Sequence, residues 1–441
     1  MNTNNLTLNE ILNKKIAIWG IGKEGLSILK EIRRRDKNTE ILIINDSNIN
    51  LDDLKDYQPL SFILSESLEA NIKNIDILIK SPGVSYYRDE IKKLQECNVK
   101  ITSITNLWLA ENQDKNLIFI TGTKGKSTTT KLTELILQYH NIKAIAGGNI
   151  GLPLFDLPKD YDVYVLELSS YQIYDLNFSA KIGAIVNLYP AHQIWHLNTN
   201  QYYKDKTTIK SNLDRLIVDK KFAYPINLEH NNISYFNNLE SFNFDNRHIY
   251  FGKDVILEIE KLKIKGDHNY SNLCCALTLA SEFVKIDKEL LKNLYNFIGI
   301  PHRLENIGVY NNITFINDSI STIPETTLAA LKALKSSAIT LLVGGQNVEA
   351  DWTVVFEYLK DNPINYIIGL PDSGQRILQC VKKFGLNIPT YLSLNLEDAV
   401  AFAKTNTPQN GIILLSPGTP SYGKFKNFEE RGVLFNSFCL D

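Results

Sequence analysis

Sulfur is scarce in this chain: one methionine and five cysteines among 441 residues. The thiols, Cys97, Cys274, Cys275, Cys380 and Cys439, are odd in number and lack a metal-ligand spacing. That excludes a disulfide-stapled secreted fold and a cysteine zinc site, and it predicts reduced, mostly buried thiols. No stretch approaches the roughly 20 apolar residues needed to span a bilayer, and no basic segment followed by an apolar core opens the chain. A cytoplasmic protein without a membrane partner is expected. Nor is one sign of charge in excess, with 47 Lys and Arg against 49 Asp and Glu. A nucleic-acid partner would need a broad basic field. The one compact basic run, Arg33-Arg34-Arg35, reads as a solvated helix end.

What is present is enough apolar sequence, 44%, to give about three cores at ordinary domain sizes, and a monomer is expected. Residues 1–111 open with the strand Ile16-Ala17-Ile18-Trp19 and the turn Gly20-Ile21-Gly22-Lys23-Glu24-Gly25. This is a Rossmann-like start whose competing reading is NAD binding. A second strand, Glu40 to Asn45, ends at Asp46 and Ser47, where such folds place a ribose or base contact. A third, Ile75 to Ile79, stops at Lys80-Ser81-Pro82-Gly83. The polar stretch Glu111 to Asn116 marks a boundary near residue 112. Residues 112–299 alternate strands and helices, lose clarity between about 215 and 260, and resume with a helical pattern from Tyr270 to Val284. Pro301 opens residues 300–441, with strands expected at Ile313 to Ile316, Ala338 to Val343, Asn365 to Ile368 and Gly411 to Leu415. The class is α/β with parallel sheets.

Chemistry concentrates in Ile120-Thr121-Gly122-Thr123-Lys124-Gly125-Lys126-Ser127-Thr128, a glycine-bracketed loop between an apolar strand and a helical pattern. The glycines allow a tight turn that aims backbone N–H groups at an anion. Lys126 brings a cation to the outer phosphates, Ser127 or Thr128 a hydroxyl for Mg²⁺, and the helix its positive end. A nucleoside triphosphate is the substrate to expect. Only Thr123 and Lys124 separate Gly122 from the Gly-Lys pair, where the usual loop has four residues.

Glu167 ends an apolar strand, where a carboxylate is costly unless a cation holds it. With a phosphate loop in the same domain, Mg²⁺ is the natural partner and a structural salt bridge the alternative. His192 and His196 flank Trp195 at a zinc-like spacing of four, but no third ligand lies near, so each histidine by itself reads as core or surface. In Tyr202-Tyr203-Lys204-Asp205-Lys206 the two lysines read as a solvated helix face. Gly266-Asp267-His268-Asn269-Tyr270-Ser271-Asn272 is a polar helix entry whose amides cap the helix or read an adenine edge. Arg303 suits a phosphate, and Asp318 ribose hydroxyls or a metal.

Taken in order, the glycine loop, Gly148-Asn149-Ile150-Gly151, Glu167-Leu168-Ser169-Ser170, His192, Gly266-Asp267-His268-Asn269, Pro301-His302-Arg303 and Asn317-Asp318-Ser319 resemble the Mur ligase family over nearly the whole chain. The N-terminal glycine turn, Lys80-Ser81-Pro82-Gly83, Leu415-Ser416-Pro417 and Lys426-Asn427-Phe428-Glu429 resemble its glutamate-adding, MurD-type branch. The resemblance implies a three-domain architecture: a Rossmann-like UDP-binding domain, a central ATP-binding domain, and a C-terminal domain contacting glutamate and ATP. It implies ATP and Mg²⁺, the substrates UDP-N-acetylmuramoyl-L-alanine and glutamate, and an acyl-phosphate intermediate in peptidoglycan synthesis. The ATP contacts it implies are Gly122 through Thr128, His268, Asn269, Arg303 and Asp318. For the other substrates it implies Gly20, Gly22, Asp46, Ser47, Gly83, Asn149, Thr322, Ser421 and Phe428. Catalysis falls to Lys126, Glu167, His192 and Lys206, and metal ligation to Ser127, Glu167, His192 and a carbamylated Lys206, with Lys204 as the nearby alternative.

The chain also departs from that pattern. Ala191 and Ile194 replace two acids around His192, and Ile320 and Val348 replace two lysines that help fix D-glutamate in ordinary members. Lys424 or Lys426 are substitute cations. The segments Asn317-Asp318-Ser319-Ile320-Ser321-Thr322 and Ser416-Pro417-Gly418-Thr419-Pro420-Ser421-Tyr422-Gly423 resemble a subgroup adding L-glutamate, with D-glutamate the alternative. A folate polyglutamate ligase and a nonenzymatic NAD or nucleotide sensor are the remaining readings.

Overall fold

A computed structural model of the chain describes residues 6–49, 51–347, 350–421 and 424–440. It divides into two compact units, the first running to Phe297 and the second starting at Ile298. The first unit holds two parallel sheets. In the N-terminal one, β1 (Ile16–Trp19), β2 (Ile41–Asn45), β3 (Leu60–Leu64), β4 (Ile77–Lys80) and β5 (Lys100–Ser103) stand in the order β3-β2-β1-β4-β5. All four residues of β1 and of β4 are buried, as strands covered on both faces require, and this is why β1 and Ile77-Leu78-Ile79 of β4 read as apolar runs. Each buried isoleucine there contributes roughly 1.5–3 kcal/mol. The order reverses between β1 and β4, and the glycine turn after β1 meets the Ser81 turn after β4 at that switch point. The Ser81 hydroxyl donates to the Gly20 carbonyl at 2.6 Å. An added Cβ at Gly25 would lie 2.1 Å from that same carbonyl oxygen, so only glycine lets the following helix, Lys23–Arg35, pack against the turn.

The central sheet comprises β6 (Asn116–Thr121), β7 (Ala144–Gly148), β8 (Val163–Glu167), β9 (Ala180–Ile185), β10 (Leu213–Asp219) and β11 (Ile233–Phe236), in the order β11-β10-β9-β6-β8-β7. Because β6 lies between β8 and β9, the glycine loop, Glu167 and the segment after Ile185 emerge together at one carboxyl edge. The blurred stretch from 215 to 260 is thereby explained. Its first part supplies β10 and the edge strand β11, and the rest is an antiparallel sheet of β12 (Phe242–Phe244), β13 (His248–Phe251) and β14 (Asp254–Glu258). Helices Lys126–Tyr139 and Asp267–Ala280 share a core with this sheet.

The second unit carries β15 (Glu305–Tyr310), β16 (Ile313–Asn317), β17 (Ile339–Val343), β18 (Tyr366–Gly369), β19 (Thr390–Leu392) and β20 (Ile412–Leu415), ordered β15-β16-β20-β17-β18-β19. Among its described strands only β15 is antiparallel, and its half-exposed residues give no apolar run for sequence reading to find. The α/β class with parallel-sheet domains is as expected.

Several local expectations need correction. The strand expected at Ile75 begins at Ile77, because the Ile75 N–H closes a turn on Ile72. The helix expected to reach Val284 ends at Ala280. Arg33 is not solvated: it is buried, and its guanidinium donates to the carbonyls of Tyr57, Thr39 and Pro59 at 2.7 Å each. Arg35 bridges Glu31 and Glu111, tying helix Lys23–Arg35 to the link between the two sheets. All five cysteines are free thiols, with Cys274, Cys275 and Cys439 buried. No described helix is long and apolar enough to cross a membrane.

Candidate active site

The glycine loop is held by its neighbours before any ligand arrives. The Asn187 side chain accepts from the Lys124 N–H at 2.9 Å and donates to the Lys124 carbonyl at 3.0 Å. The Thr123 hydroxyl shares a 2.8 Å hydrogen bond with the Tyr202 hydroxyl. Gly125 has φ +80°, and a Cβ there would sit 2.3 Å from the Asn272 side-chain oxygen, so glycine is required by both conformation and space. Helix Lys126–Tyr139 starts at that point, directing its N-terminal N–H groups into the loop. Ser127 is buried at the first turn, and the Lys126 ammonium reaches the Thr123 carbonyl at 3.3 Å.

Around this loop stand the three other residues assigned to metal and catalysis. Glu167 is 2% exposed. One carboxylate oxygen accepts from the Asn149 amide at 2.8 Å, and the other is buried with no partner. An unmet carboxylate oxygen in the interior is a cost that a cation removes. Asn149, expected to touch the UDP substrate, is thus placed to orient Glu167. Lys206, also 2% exposed, donates to the Thr121 hydroxyl at 3.1 Å, while Lys204 is exposed. Burial, together with the nearby Lys126 cation, pushes the Lys206 pKa well below the usual lysine value, and Glu167 opposes the shift only partly. The expected solvated helix face is therefore corrected for Lys206, whose helix, Thr199–Thr207, buries Tyr202, Asp205, Lys206 and Thr207.

His192 sits in a left-handed conformation, φ +53°, with Nδ1 2.7 Å from the Tyr171 hydroxyl. Desolvation, then the cations Lys206 and Lys126, lower its pKa to about 4, leaving a neutral imidazole competent to bind metal. Among the described residues no three His, Cys, Asp or Glu side chains converge as a metal site. A third protein ligand beside Glu167 and His192 would have to be of another kind, which a carbamylated lysine is.

His268 is exposed and Asn269 half-buried at the start of helix Asp267–Ala280, one turn before Asn272, which packs on the loop at Gly125. At the N-terminal sheet, Gly22 caps its helix and Gly83 has open space where a side chain would stand. Asp46 forms a 2.8 Å ion pair with Arg88. Desolvation pushes its pKa up, but Ser65 and the Arg88 hydrogen bond and charge outweigh it and hold the carboxyl below the usual carboxylate range. Ser47 accepts from the Asn45 amide. Arg88, stacked over Trp19, is a cation at this crevice that sequence reading missed, since a lone arginine after a Tyr-Tyr pair carries no motif. Asn187 was passed over as well, because an isolated asparagine after an apolar strand carries no motif. A cavity of about 1070 Å³ lined by Glu69, Lys73, Lys93 and Lys100 opens at the amino edge of this sheet, opposite the glycine turn.

In the second unit, Asp318 accepts from Ser321 at 2.5 Å, Ser416 at 2.8 Å and the Leu304 N–H at 3.1 Å. Burial raises its pKa against those bonds. Arg303 is exposed, Thr322 half-buried and Ser421 buried, and the Phe428 carbonyl accepts from the Ser319 hydroxyl. Buried Arg431, unremarked in the sequence, braces these loops through Ser319 and the Thr419 carbonyl. Ile320 is half-buried, and Lys424 and Lys426 are exposed. Val348, Tyr422 and Gly423 lie outside the described residues, as does the side chain of Ile194.

A family model for the Mur ligase middle domain matches residues 120–280. A UDP-N-acetylmuramoyl-L-alanine–L-glutamate ligase of Micromonospora sp. is 30% identical over 99% of this chain and 98% of its own length. A UDP-N-acetylmuramoylalanine–D-glutamate ligase of Buchnera aphidicola is 31% identical over 96% of this chain and 97% of its own. Among solved structures, the UDP-N-acetylmuramate-alanine ligase MurC of Thermotoga maritima superposes with a TM-score of 0.58 at 18% identity, covering 97% of this chain and 99% of that one, a likeness of fold. With two near-full-length relatives and the central domain in agreement, the chain belongs to the Mur ligase family of ATP-dependent, amide-forming ligases.

Proposed function

We propose that the protein adds glutamate to UDP-N-acetylmuramoyl-L-alanine in peptidoglycan synthesis, acting in the cytoplasm as a monomer, and that its amino acid is L-glutamate. The observation that carries the reading is the clustering of a phosphate loop, a buried carboxylate with one unmet oxygen, and a buried lysine of depressed pKa within one unit. Residues 1–111 bind the UDP group at the β1 and β4 turns, residues 112–299 hold ATP, and residues 300–441 contact glutamate and ATP.

A carboxylate is a poor acyl donor because an amine would have to expel oxide. Its oxygen attacks the γ-phosphorus of ATP, the bond to the β–γ bridging oxygen breaks, and ADP leaves. The glutamate nitrogen then attacks the acyl carbon, loses a proton, and inorganic phosphate departs as the amide forms. Positioning and charge neutralisation are what the protein supplies. Lys126 and the N–H groups of the loop draw the γ-phosphoryl group into place. The donor set fits Mg²⁺: the unmet Glu167 oxygen, neutral His192 and the Ser127 hydroxyl are hard or borderline ligands. When bound, Mg²⁺ supplies neutralisation of phosphate charge. Ammonium Lys206 does not fit beside it. The free amine, favoured by burial, combines with CO₂ and sheds a proton, becoming an anionic carbamate that does.

L-glutamate is favoured because Ile320 stands where ordinary D-glutamate-adding members carry a lysine. The test is phosphate release with ATP and UDP-N-acetylmuramoyl-L-alanine, run separately with D- and L-glutamate. Release requiring both substrates, with L-glutamate preferred, is expected. Product with D-glutamate alone would overturn the stereochemical assignment, and ATP turnover indifferent to the UDP substrate would overturn the ligase assignment.

A further inference from the structure

We infer that Ser170, His196 and Asp205 form a buried positioning relay that sets the spacing of Glu167, His192 and Lys206. The inference rests on the reading of those three as the metal-binding group. His196 is fully buried, with Nδ1 2.6 Å from an Asp205 carboxylate oxygen and Nε2 2.8 Å from the Ser170 hydroxyl. Ser170 and Asp205 are 1% and 3% exposed. This resembles the order of a nucleophilic triad, but no substrate can reach a serine so enclosed, so the atoms serve geometry and do not transfer an acyl group.

The placement of the three members in the chain is what gives the relay its function. Each lies beside one of those three residues on a separate segment: Ser170 follows Glu167 at the end of β8, His196 lies one helical turn beyond His192, and Asp205 immediately precedes Lys206. Two hydrogen bonds to a single imidazole therefore join the three segments that must hold their ligands at fixed separation. Both ring nitrogens are engaged, so the ring has one orientation, and a ligand-bearing segment cannot move without breaking a buried bond. Asp205 also accepts from the Tyr87 hydroxyl at 2.8 Å and the Gln201 amide at 2.7 Å. The neighbouring Trp195 indole donates to the Pro82 carbonyl at 3.1 Å, and Ser85 donates to the Trp195 carbonyl at 2.8 Å. The relay thus reaches the Ser81-Pro82-Gly83 turn of the N-terminal sheet, fixing the distance from the UDP end of the site to its phosphate end.

The variants Ser170→Ala, His196→Asn and Asp205→Asn are to be compared in the full-length protein with Glu167→Gln. Readouts are Mn²⁺ affinity by electron paramagnetic resonance with ADP present, the Mg²⁺ concentration for half-maximal turnover, KM for the UDP substrate, and the melting temperature. Relay variants are expected to bind Mn²⁺ about 10-fold more weakly or worse, to need correspondingly more Mg²⁺, and to recover turnover as Mg²⁺ is raised. Ser170→Ala removes one hydroxyl and stays folded even where Asp205→Asn does not. If Ser170→Ala and every other folded relay variant keep wild-type Mn²⁺ affinity and Mg²⁺ dependence while Glu167→Gln loses them, the relay is packing only and the inference is overturned. If Glu167→Gln itself binds Mn²⁺ as the wild type does, the metal reading falls and the relay's role with it.

Discussion

At the scale of single residues, Lys206 sets function against stability. Its folded pKa lies below that of an unfolded lysine, so the folded state releases a proton the unfolded state keeps. Stability from this group is therefore lost as pH falls below the unfolded value, and the penalty is present at neutral pH. Lys206→Met removes the buried cation and leaves similar volume. In CO₂-free buffer this variant is expected to melt at a higher temperature than the wild type, and in bicarbonate-containing buffer its turnover is expected to lie about 10²-fold or more below that of the wild type. In ¹³C-bicarbonate the wild type should show a carbamate carbon resonance that the variant lacks. A variant with normal turnover would remove Lys206 from the chemistry.

Glu24 titrates in the opposite sense. Burial raises its pKa to about 7, with Lys80 only partly opposing, and Gln172 donates to one oxygen at 3.1 Å. Between about 4.5 and 7 the folded state holds a proton that the unfolded state has lost, so stability declines as pH rises through that window. The decline amounts to roughly 3 kcal/mol. Glu24→Gln is expected to narrow the gap between melting temperatures at pH 5 and pH 8, measured by differential scanning calorimetry. An unchanged gap would mean that Glu24 is ionised throughout.

Among elements, the glycine loop was legible because everything that defines it is local: strand, loop spacing and helix are contiguous. Glu167 was legible for a related reason, as one acid closing an apolar strand. Lys206 was reached only through the family resemblance, and the burial of Lys206 and Arg33 was not legible, because both charges are covered by contacts from other segments of the chain and a helix face gives no local sign of what will cover it. Edge strand β15 escaped detection because half-exposed residues carry no period. Gly125→Ala tests the loop itself. A side chain at φ +80° costs about 1–2 kcal/mol before the clash with Asn272 is counted. ADP affinity by calorimetry is expected to fall about 10-fold or more, with helix Lys126–Tyr139 and the overall circular dichroism retained. Wild-type affinity would mean that the loop does not bind phosphate in this conformation.

For the whole molecule, the apolar clusters respect the division at Phe297. Those of the second unit draw only on residues from 304 onward, while the first unit's two parallel sheets share side chains, Phe155 packing against the cores of both. Residues 298–441 expressed alone are therefore expected to give a cooperative thermal transition by circular dichroism. A featureless melt would show that this unit depends on the rest of the chain. A further consequence concerns how the chain is made. Lys80, enclosed by the rings of Tyr86 and Trp195 with Asp175 nearby, reaches its final surroundings only when Trp195 has been synthesised. At ordinary translation speeds the growing chain waits on the order of ten seconds for that cover. During this time Lys80 stays hydrated, and the first sheet leaves the ribosome with a charged, water-soluble edge that closes only when its partner sheet arrives.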